Sequence, residues 1–259
     1  MPTHRSPDDA QKASLLGRWH AHLTGIERAA LALPLLLGGS IWIFLAVAGA
    51  VVGQDARSFD KSVLLAMRNP LDVTQPWGPG WLQEMARDFT ALGGVAVLTL
   101  LALATIGYLV MLRKHHAAIA VAIAIGGGSL LSTVLKWYFD RDRPDLVPHG
   151  SIVYTASFPS GHSMMAAVTY LTLGALLARI HAPLRIKAYL LGCAILLTLL
   201  VGVSRVYLGV HWPSDVAAGW AVGAAWALMA SLAVRALQWR GTVETPVRTR
   251  VPPPGGQAG

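Results

Sequence analysis

The 259-residue chain holds a single cysteine, Cys193, so no internal disulfide can form and cysteine usage says nothing about a redox compartment. Charge is scarce as well: 13% of residues are Asp, Glu, Lys or Arg, against about 25% in an ordinary soluble domain. That shortfall argues against a soluble globular protein. Acidic residues are the rarer sign, 13 against 21 basic, which leaves a net charge of +8. An excess of this size invites a nucleic-acid partner, yet no loop combines basic density with the interleaved aromatics of a single-strand-binding surface. No nucleic acid is therefore expected. Charge is missing altogether from six stretches, 29–52, 91–112, 117–135, 161–178, 188–203 and 216–234.

What fills those stretches is apolar, and 54% of the chain is hydrophobic. A membrane-spanning helix needs about 20 apolar residues, within a range of roughly 17 to 25. The first three stretches and the last meet that length, and the fourth and fifth are marginal. The sequence therefore predicts an all-α protein, a bundle of six transmembrane helices. The "AVAGA" at the end of the first stretch resembles a signal-peptidase site, but 28 residues including Asp8, Asp9 and Glu27 precede that stretch, and its apolar run exceeds an h-region. It is read as a retained anchor. The expected organisation is a cytoplasmic segment over 1–28, a membrane domain over 29–239, and a disordered Pro-, Gly- and Arg-rich cytoplasmic tail over 240–259.

The distribution of basic residues orients the bundle. Four lie before the first span, two in the second loop, three in the fourth loop and four at the C-terminal end, so 13 of the 21 fall on one side. The positive-inside rule makes that side cytoplasmic and turns loops one, three and five outward, to the periplasm or exterior of a cell membrane. Clusters such as Arg113 to His116 then serve as orientation signals and contacts to anionic head groups.

Three polar clusters stand on the outward side. The first is "KWYFDRDRP", in which Lys136 and Arg143 are seven residues apart and Pro144 follows. If the helix continued past Lys136, both cations would share a face about 10 Å apart; alternatively, Pro144 bends the chain and swings Arg143 back. The second is "PSGH", Pro159 to His162, at the mouth of the fourth span, and the third is "SRVYLGVHWPSD", with Ser204 and Arg205, then His211, then Asp215. Each has a bland reading taken alone: snorkelling anchors for the cations, an ordinary N-cap for Ser160, a surface pair for His211 and Asp215. Together they suit a phosphate. A helix N-terminus presents free N–H groups and a positive dipole end, Gly161 lets the backbone approach closely, and Lys and Arg neutralise the remaining charge.

These residues, in this order, resemble the three signature motifs of the type 2 phosphatidic acid phosphatase (PAP2) superfamily: Lys136 with Arg143 and Pro144, then Pro159 to His162, then Ser204 and Arg205 with His211 and Asp215. The resemblance, to the bacterial integral-membrane lipid phosphatase branch, covers 136–215 by motif and 29–234 by layout. It implies that His211 is the nucleophile and forms a phosphohistidine, that Asp215 orients its imidazole, and that His162 is the general acid. Lys136, Arg143, Ser160, Gly161 and Arg205 would bind the phosphoryl oxygens. It also implies a metal-independent phosphatase that needs no cofactor and acts on a lipid phosphate or pyrophosphate among membrane lipids. Undecaprenyl pyrophosphate is the preferred substrate, with phosphatidylglycerol phosphate, phosphatidic acid and lipid A as alternatives. No obligate protein partner is evident.

Two readings from other classes compete. Asp140 and Asp142 form a D-x-D pair that could hold a divalent ion in a lipid glycosyltransferase, although Arg141 and Arg143 interleave and compensate it. A transporter could use the same cations to bind a phosphate-bearing solute, but the ionisable residues then belong at mid-span rather than at span ends. In the first outward loop, 54–90, Phe59, Val63 and Met67 share one helical face and Leu82, Met85 and Phe89 another. Both suit interfacial helices, with Trp77 and Trp81 at head-group level, or simple packing over the bundle. Gly219 and Gly223 form a small-xxx-small pair for helix packing within the chain.

Overall fold

The computed structural model describes residues 32–149, 155–180 and 183–239. The segment 1–28 and the tail 240–259 expected from the sequence lie outside the described residues. In chain order the elements are α1 (Ala32–Val52), α2 (Ala56–Ala66), a short hairpin of β1 (Arg68–Asn69) and β2 (Asp72–Pro76), α3 (Gly80–Ala91), α4 (Val95–Met111), α5 (His115–Phe139), α6 (Gly161–Ile180), α7 (Leu184–Tyr207) and α8 (Pro213–Trp239).

Among the described residues, five helices are long and apolar enough to cross a membrane: α1, α5, α6, α7 and α8. The second span of the sequence reading, 91–112, falls on α3 and α4, two helices bent by 44° at a short break, which reach that length only when taken together. The bend falls at Leu92 to Gly94, where the α3 C-cap gives way to an extended Gly94 that starts α4. Of the two marginal stretches, the fifth lengthens in the fold because α7 runs on through Ser204 and Arg205 to Tyr207, while α6 starts at Gly161 as the fourth did and gains only Arg179 and Ile180.

Helix α6 is the centre of the bundle. Over its most apolar window 56% of the residues are buried, against 6% for α1 at the periphery, and α6 packs chiefly on α7 and α8. Close approach to α8 depends on two missing side chains. A Cβ on Gly219 would stand 2.7 Å from the Ser160 carbonyl oxygen, and one on Gly223 2.6 Å from that of Met164. The small-xxx-small pair thus serves intrachain packing and seats the N-terminal end of α6 directly on the start of α8. Indole N–H groups that would be unsatisfied in an apolar interior donate to helix carbonyls, Trp220 to Thr198 at 3.0 Å and Trp226 to Ala124 at 2.7 Å.

In the long first loop the helices α2 and α3 form where the apolar periodicity placed them, and their most buried positions are offset from its stripe. Phe59 is 61% exposed and Met85 41%, whereas the buried residues are Asp60 and Leu64 on α2, and Ala86 and Thr90 on α3. Val63, Met67, Leu82 and Phe89 are half-buried, and Met67 packs on the cluster around Leu64, so the apolar stripes lie at the edge of the packing faces. Each helix turns one polar residue inward, and both of those residues reach the site.

Candidate active site

Helix α5 carries Lys136 in its last turn and ends at Phe139 because Asp140 adopts the left-handed conformation, φ 39° and ψ 42°. The helix does not continue to Arg143, so the shared-face alternative is not realised; the chain reverses at Asp140 and brings Arg143 back. Lys136 Nζ donates to the Ala156 carbonyl at 2.6 Å, and Arg143 NH2 reaches the same oxygen at 3.4 Å. Both cations meet at one point.

His211 lies in the turn between α7 and α8 and is 1% exposed. Arg143 NH1 stands 3.1 Å from its Nε2 and also donates to the Val210 carbonyl at 2.7 Å. A guanidinium has no acceptor, so Nε2 must offer its lone pair and the ring proton belongs on Nδ1. Nδ1 faces Asp215 Oδ2 at 3.5 Å and Ser157 Oγ at 3.3 Å. Asp215 is fully buried, and its carboxylate also accepts from the Ser157 hydroxyl, from the Trp212 N–H at 2.9 Å and from Arg141 NH1 at 2.6 Å. The arrangement presents an unprotonated nitrogen toward the cations and a carboxylate behind it.

The α6 N-terminus closes the site from beneath. Ser160 N donates to the Asp215 carbonyl at 2.9 Å, which ties this turn to α8, and the Ser160 hydroxyl is fully buried, accepting from Ser163 Oγ at 2.9 Å. Gly161 leaves room for a side chain: a Cβ there would stand 3.2 Å from Lys136 Cε. His162 follows in the first turn, within electrostatic reach of Arg205, His211, Lys136 and Arg143. Its backbone abuts Gly93 at the α3–α4 bend, where an added Cβ would meet the His162 carbonyl at 3.2 Å. Arg205, in the last turn of α7 and 2% exposed, donates through NH1 to Thr90 Oγ1 on α3 at 2.9 Å. All eight residues expected from the sequence therefore cluster at one end of α5, α6, α7 and α8.

Two electrostatic consequences follow. Lys136, Arg143 and Arg205 repel one another at this range, and such a cluster is relieved by a multiply charged anion. Burial pushes the His211 imidazole down from its ordinary value to about 3, although the hydrogen bond and charge of Asp215 pull the other way. An imidazole so placed stays neutral well below its ordinary value, so no proton has to leave Nε2 before it attacks. Histidine phosphorylation by an activated ester, measured as a burst, is accordingly expected to stay flat from pH 8 to pH 5. With an unshifted imidazole the rate would drop about thirtyfold by pH 5, and a midpoint near 6.5 would show that His211 is not held neutral.

Sequence reasoning missed Asp60, Thr90, Ser157 and Ser214, and it misread Arg141. The arginines of "DRDRPD" do not compensate Asp140 and Asp142, which are exposed; Arg141 points to Asp60 and Asp215, and Arg143 to His211. Among the described residues no group of three or more His, Cys, Asp or Glu is placed to hold a metal ion, the D-x-D pair included.

Comparison with known proteins places this geometry. The profile of the PAP2 superfamily matches residues 117–239. Phosphatidylglycerophosphatase B of Bacillus subtilis is 34% identical over 186 residues, which cover 70% of this chain and 85% of that protein. The chain belongs to the PAP2 superfamily. A crystal structure of a transmembrane PAP2-type phosphatidylglycerolphosphate phosphatase from Bacillus subtilis superposes with a TM-score of 0.66 at 29% identity, over 78% of this chain and 96% of the other. An undecaprenyl-diphosphatase of Sulfolobus acidocaldarius is 38% identical over 120 residues, 44% of this chain and 54% of that protein. A lipid A 1-phosphatase of Rhizobium johnstonii is 33% identical over 112 residues. The chain is a membrane PAP2 lipid phosphatase. Within that fold the Gly161 position is open to a direct test: Gly161→Ala should lower kcat/KM about tenfold by displacing Lys136, while helix stability does not fall, because Ala is the better helix former. Unchanged turnover in the folded variant would separate Lys136 from the reaction.

Proposed function

We propose that the protein hydrolyses a lipid phosphomonoester, phosphatidylglycerol phosphate, through a phosphohistidine on His211. The observation that carries this reading is the placement of His211 Nε2 beside Arg143, with Nδ1 toward Asp215. In the first step Nε2 attacks phosphorus, the bond from phosphorus to the lipid oxygen breaks, and His162 gives its proton to the departing alkoxide. Asp215 holds the Nδ1 proton and stabilises the imidazolium as it forms. Lys136, Arg143, Arg205, the Ser160 hydroxyl and the Gly161 N–H bind the three equatorial oxygens, whose charge grows in the transition state. Water then attacks phosphorus, passes a proton to His162 and breaks the phosphorus–nitrogen bond, which releases inorganic phosphate. Side-chain cations and an imidazole nucleophile supply every charge this route needs, so no metal-activated water is invoked.

The sequence alone preferred undecaprenyl pyrophosphate. The Bacillus phosphatidylglycerophosphatase, which matches most of this chain, supports the monoester instead, while the Sulfolobus relative keeps the pyrophosphate as a second reading. Phosphate release by purified protein from phosphatidylglycerol phosphate, undecaprenyl pyrophosphate, phosphatidic acid and lipid A, each with and without EDTA, tests both points. The highest kcat/KM on phosphatidylglycerol phosphate, persisting in EDTA, is expected; release from none of them would end the reading.

The site is proposed to open outward, on the 13 to 8 division of basic residues. With Cys193 replaced by Ala, a cysteine at the exposed Gln75 should react with a membrane-impermeant thiol reagent in intact cells. Protection there, with labelling at residue 115 instead, would invert the topology.

A further inference from the structure

Asp60 lies on α2, 154 residues before Ser214 in the first turn of α8, and it is fully buried. A buried carboxylate is costly unless every lone pair is engaged, and here both oxygens are. Oδ1 accepts from the Ser214 N–H at 2.8 Å, and Oδ2 accepts from the Ser214 hydroxyl at 2.6 Å and from Arg141 NH2 at 2.8 Å. Arg141 uses its other arm on Asp215 Oδ1 at 2.6 Å and on Ser214 Oγ at 2.8 Å. Its guanidinium also lies over the Trp212 ring, 5.7 Å from the centroid. One guanidinium thus bridges two buried carboxylates, and the second of them stands behind His211.

We propose that Asp60 is a positioning residue for phosphoryl transfer: it holds Arg141, and Arg141 fixes the Asp215 carboxylate against the His211 ring. This rests on the phosphohistidine route above. The reasoning is geometric. Asp215 has two oxygens, and the ring needs one of them. Arg141 occupies Oδ1, so Oδ2 is left for Trp212 N, Ser157 and His211 Nδ1. A planar fork with one partner on each arm cannot rotate without breaking one of them. Without Asp60, Arg141 is free to swing and take both Asp215 oxygens bidentately, which competes with the Nδ1 proton for Oδ2. Charge runs the same way: Asp60 offsets the charge of Arg141, which leaves the Asp215 carboxylate to stabilise the imidazolium formed on phosphorylation. The loop helix α2 would then be a component of the catalytic machinery, acting through Arg141 without touching substrate.

The test uses the purified full chain in detergent and p-nitrophenyl phosphate, and reads the burst rate, kcat, KM and Tm. Asp60→Asn keeps the side-chain shape but loses the charge that holds Arg141. It should slow the burst and kcat on the order of tenfold to a hundredfold at unchanged KM, since displaced reacting groups cost rate rather than ground-state binding. The double variant Asp60→Asn, Arg141→Gln should be no slower than Arg141→Gln alone, because both act through one contact. A wild-type burst in folded Asp60→Asn, or losses that multiply in the double variant, would overturn the proposal. If Asp60→Asn does not fold, Arg141→Lys decides. It sits at a side chain 18% exposed and keeps the charge, but one ammonium cannot span both carboxylates, so kcat should fall while KM holds; a wild-type kcat would overturn the proposal. The wild-type arm separates the two levels: an active wild type with no histidine-linked burst indicts the phosphohistidine route itself.

Discussion

His211→Ala is expected to lower phosphate release from every substrate by about 10⁴-fold or more, the scale on which removal of a covalent nucleophile acts. The size of the loss follows from position. Nε2 is the nitrogen that faces Arg143, and the carboxylate behind the ring is committed to Nδ1, so no other group can form the intermediate with the same backing. Activity on p-nitrophenyl phosphate and on lipid should fall together, because both routes pass through the same nitrogen. His211 is 1% exposed, and truncation leaves a hole. His211→Gln, of closer volume, provides the control for folding: it should recover Tm toward wild type without recovering turnover. Substantial activity in either folded variant would remove His211 from the reaction path.

His162→Ala should separate substrates by their leaving groups. A positioned general acid is worth about 10² to 10⁴-fold, and that contribution is needed when an alkoxide departs but hardly at all when p-nitrophenolate does. The variant is therefore expected to lose about 10²-fold or more on a lipid monophosphate and about tenfold or less on p-nitrophenyl phosphate. Packing should survive, because the part of His162 that abuts Gly93 is its backbone and Cβ, which alanine retains. Asp215→Asn belongs between the two histidine variants: it keeps a hydrogen-bonding group at the position but favours the wrong tautomer of His211. Equal losses of His162→Ala on both substrates would mean that the ring positions phosphate rather than delivers a proton.

The contrast between what could be read and what could not has a physical basis. Helices declare themselves through long apolar runs and the near-absence of charge, and residues such as Lys136, His162 and His211 declare themselves because an ionisable group at a span end needs a reason. Of the two spans read as marginal, α7 exceeds its charge-free stretch partly because Ser204 and Arg205 at its end belong to the site, whereas α6 stays close to the length its stretch gave. The second span was read as one helix because Gly93 and Gly94 are as compatible with an apolar run as with the 44° bend found there. Asp60 and Thr90 gave no such signal. Asp in a polar loop and Thr near a helix end are ordinary residues, and their partners Ser214 and Arg205 lie 154 and 115 positions away, so spacing cannot connect them. The apolar stripes of α2 and α3 lie only partly against protein, since in a helix beside a membrane the apolar stripe need not be the side that meets protein. Arg141 was misread through proximity in sequence: its neighbours Asp140 and Asp142 offered a local partner, and the fold supplied buried ones.

Trapping the covalent intermediate tests the account at its centre. Brief incubation of the wild-type protein with a lipid phosphate labelled in the transferred phosphoryl group, followed by an alkaline quench and peptide mapping, should find label on His211, at the nitrogen that faces Arg143. Label on His162, or none in a quench fast enough to catch the intermediate of an enzyme that is turning over, would contradict it.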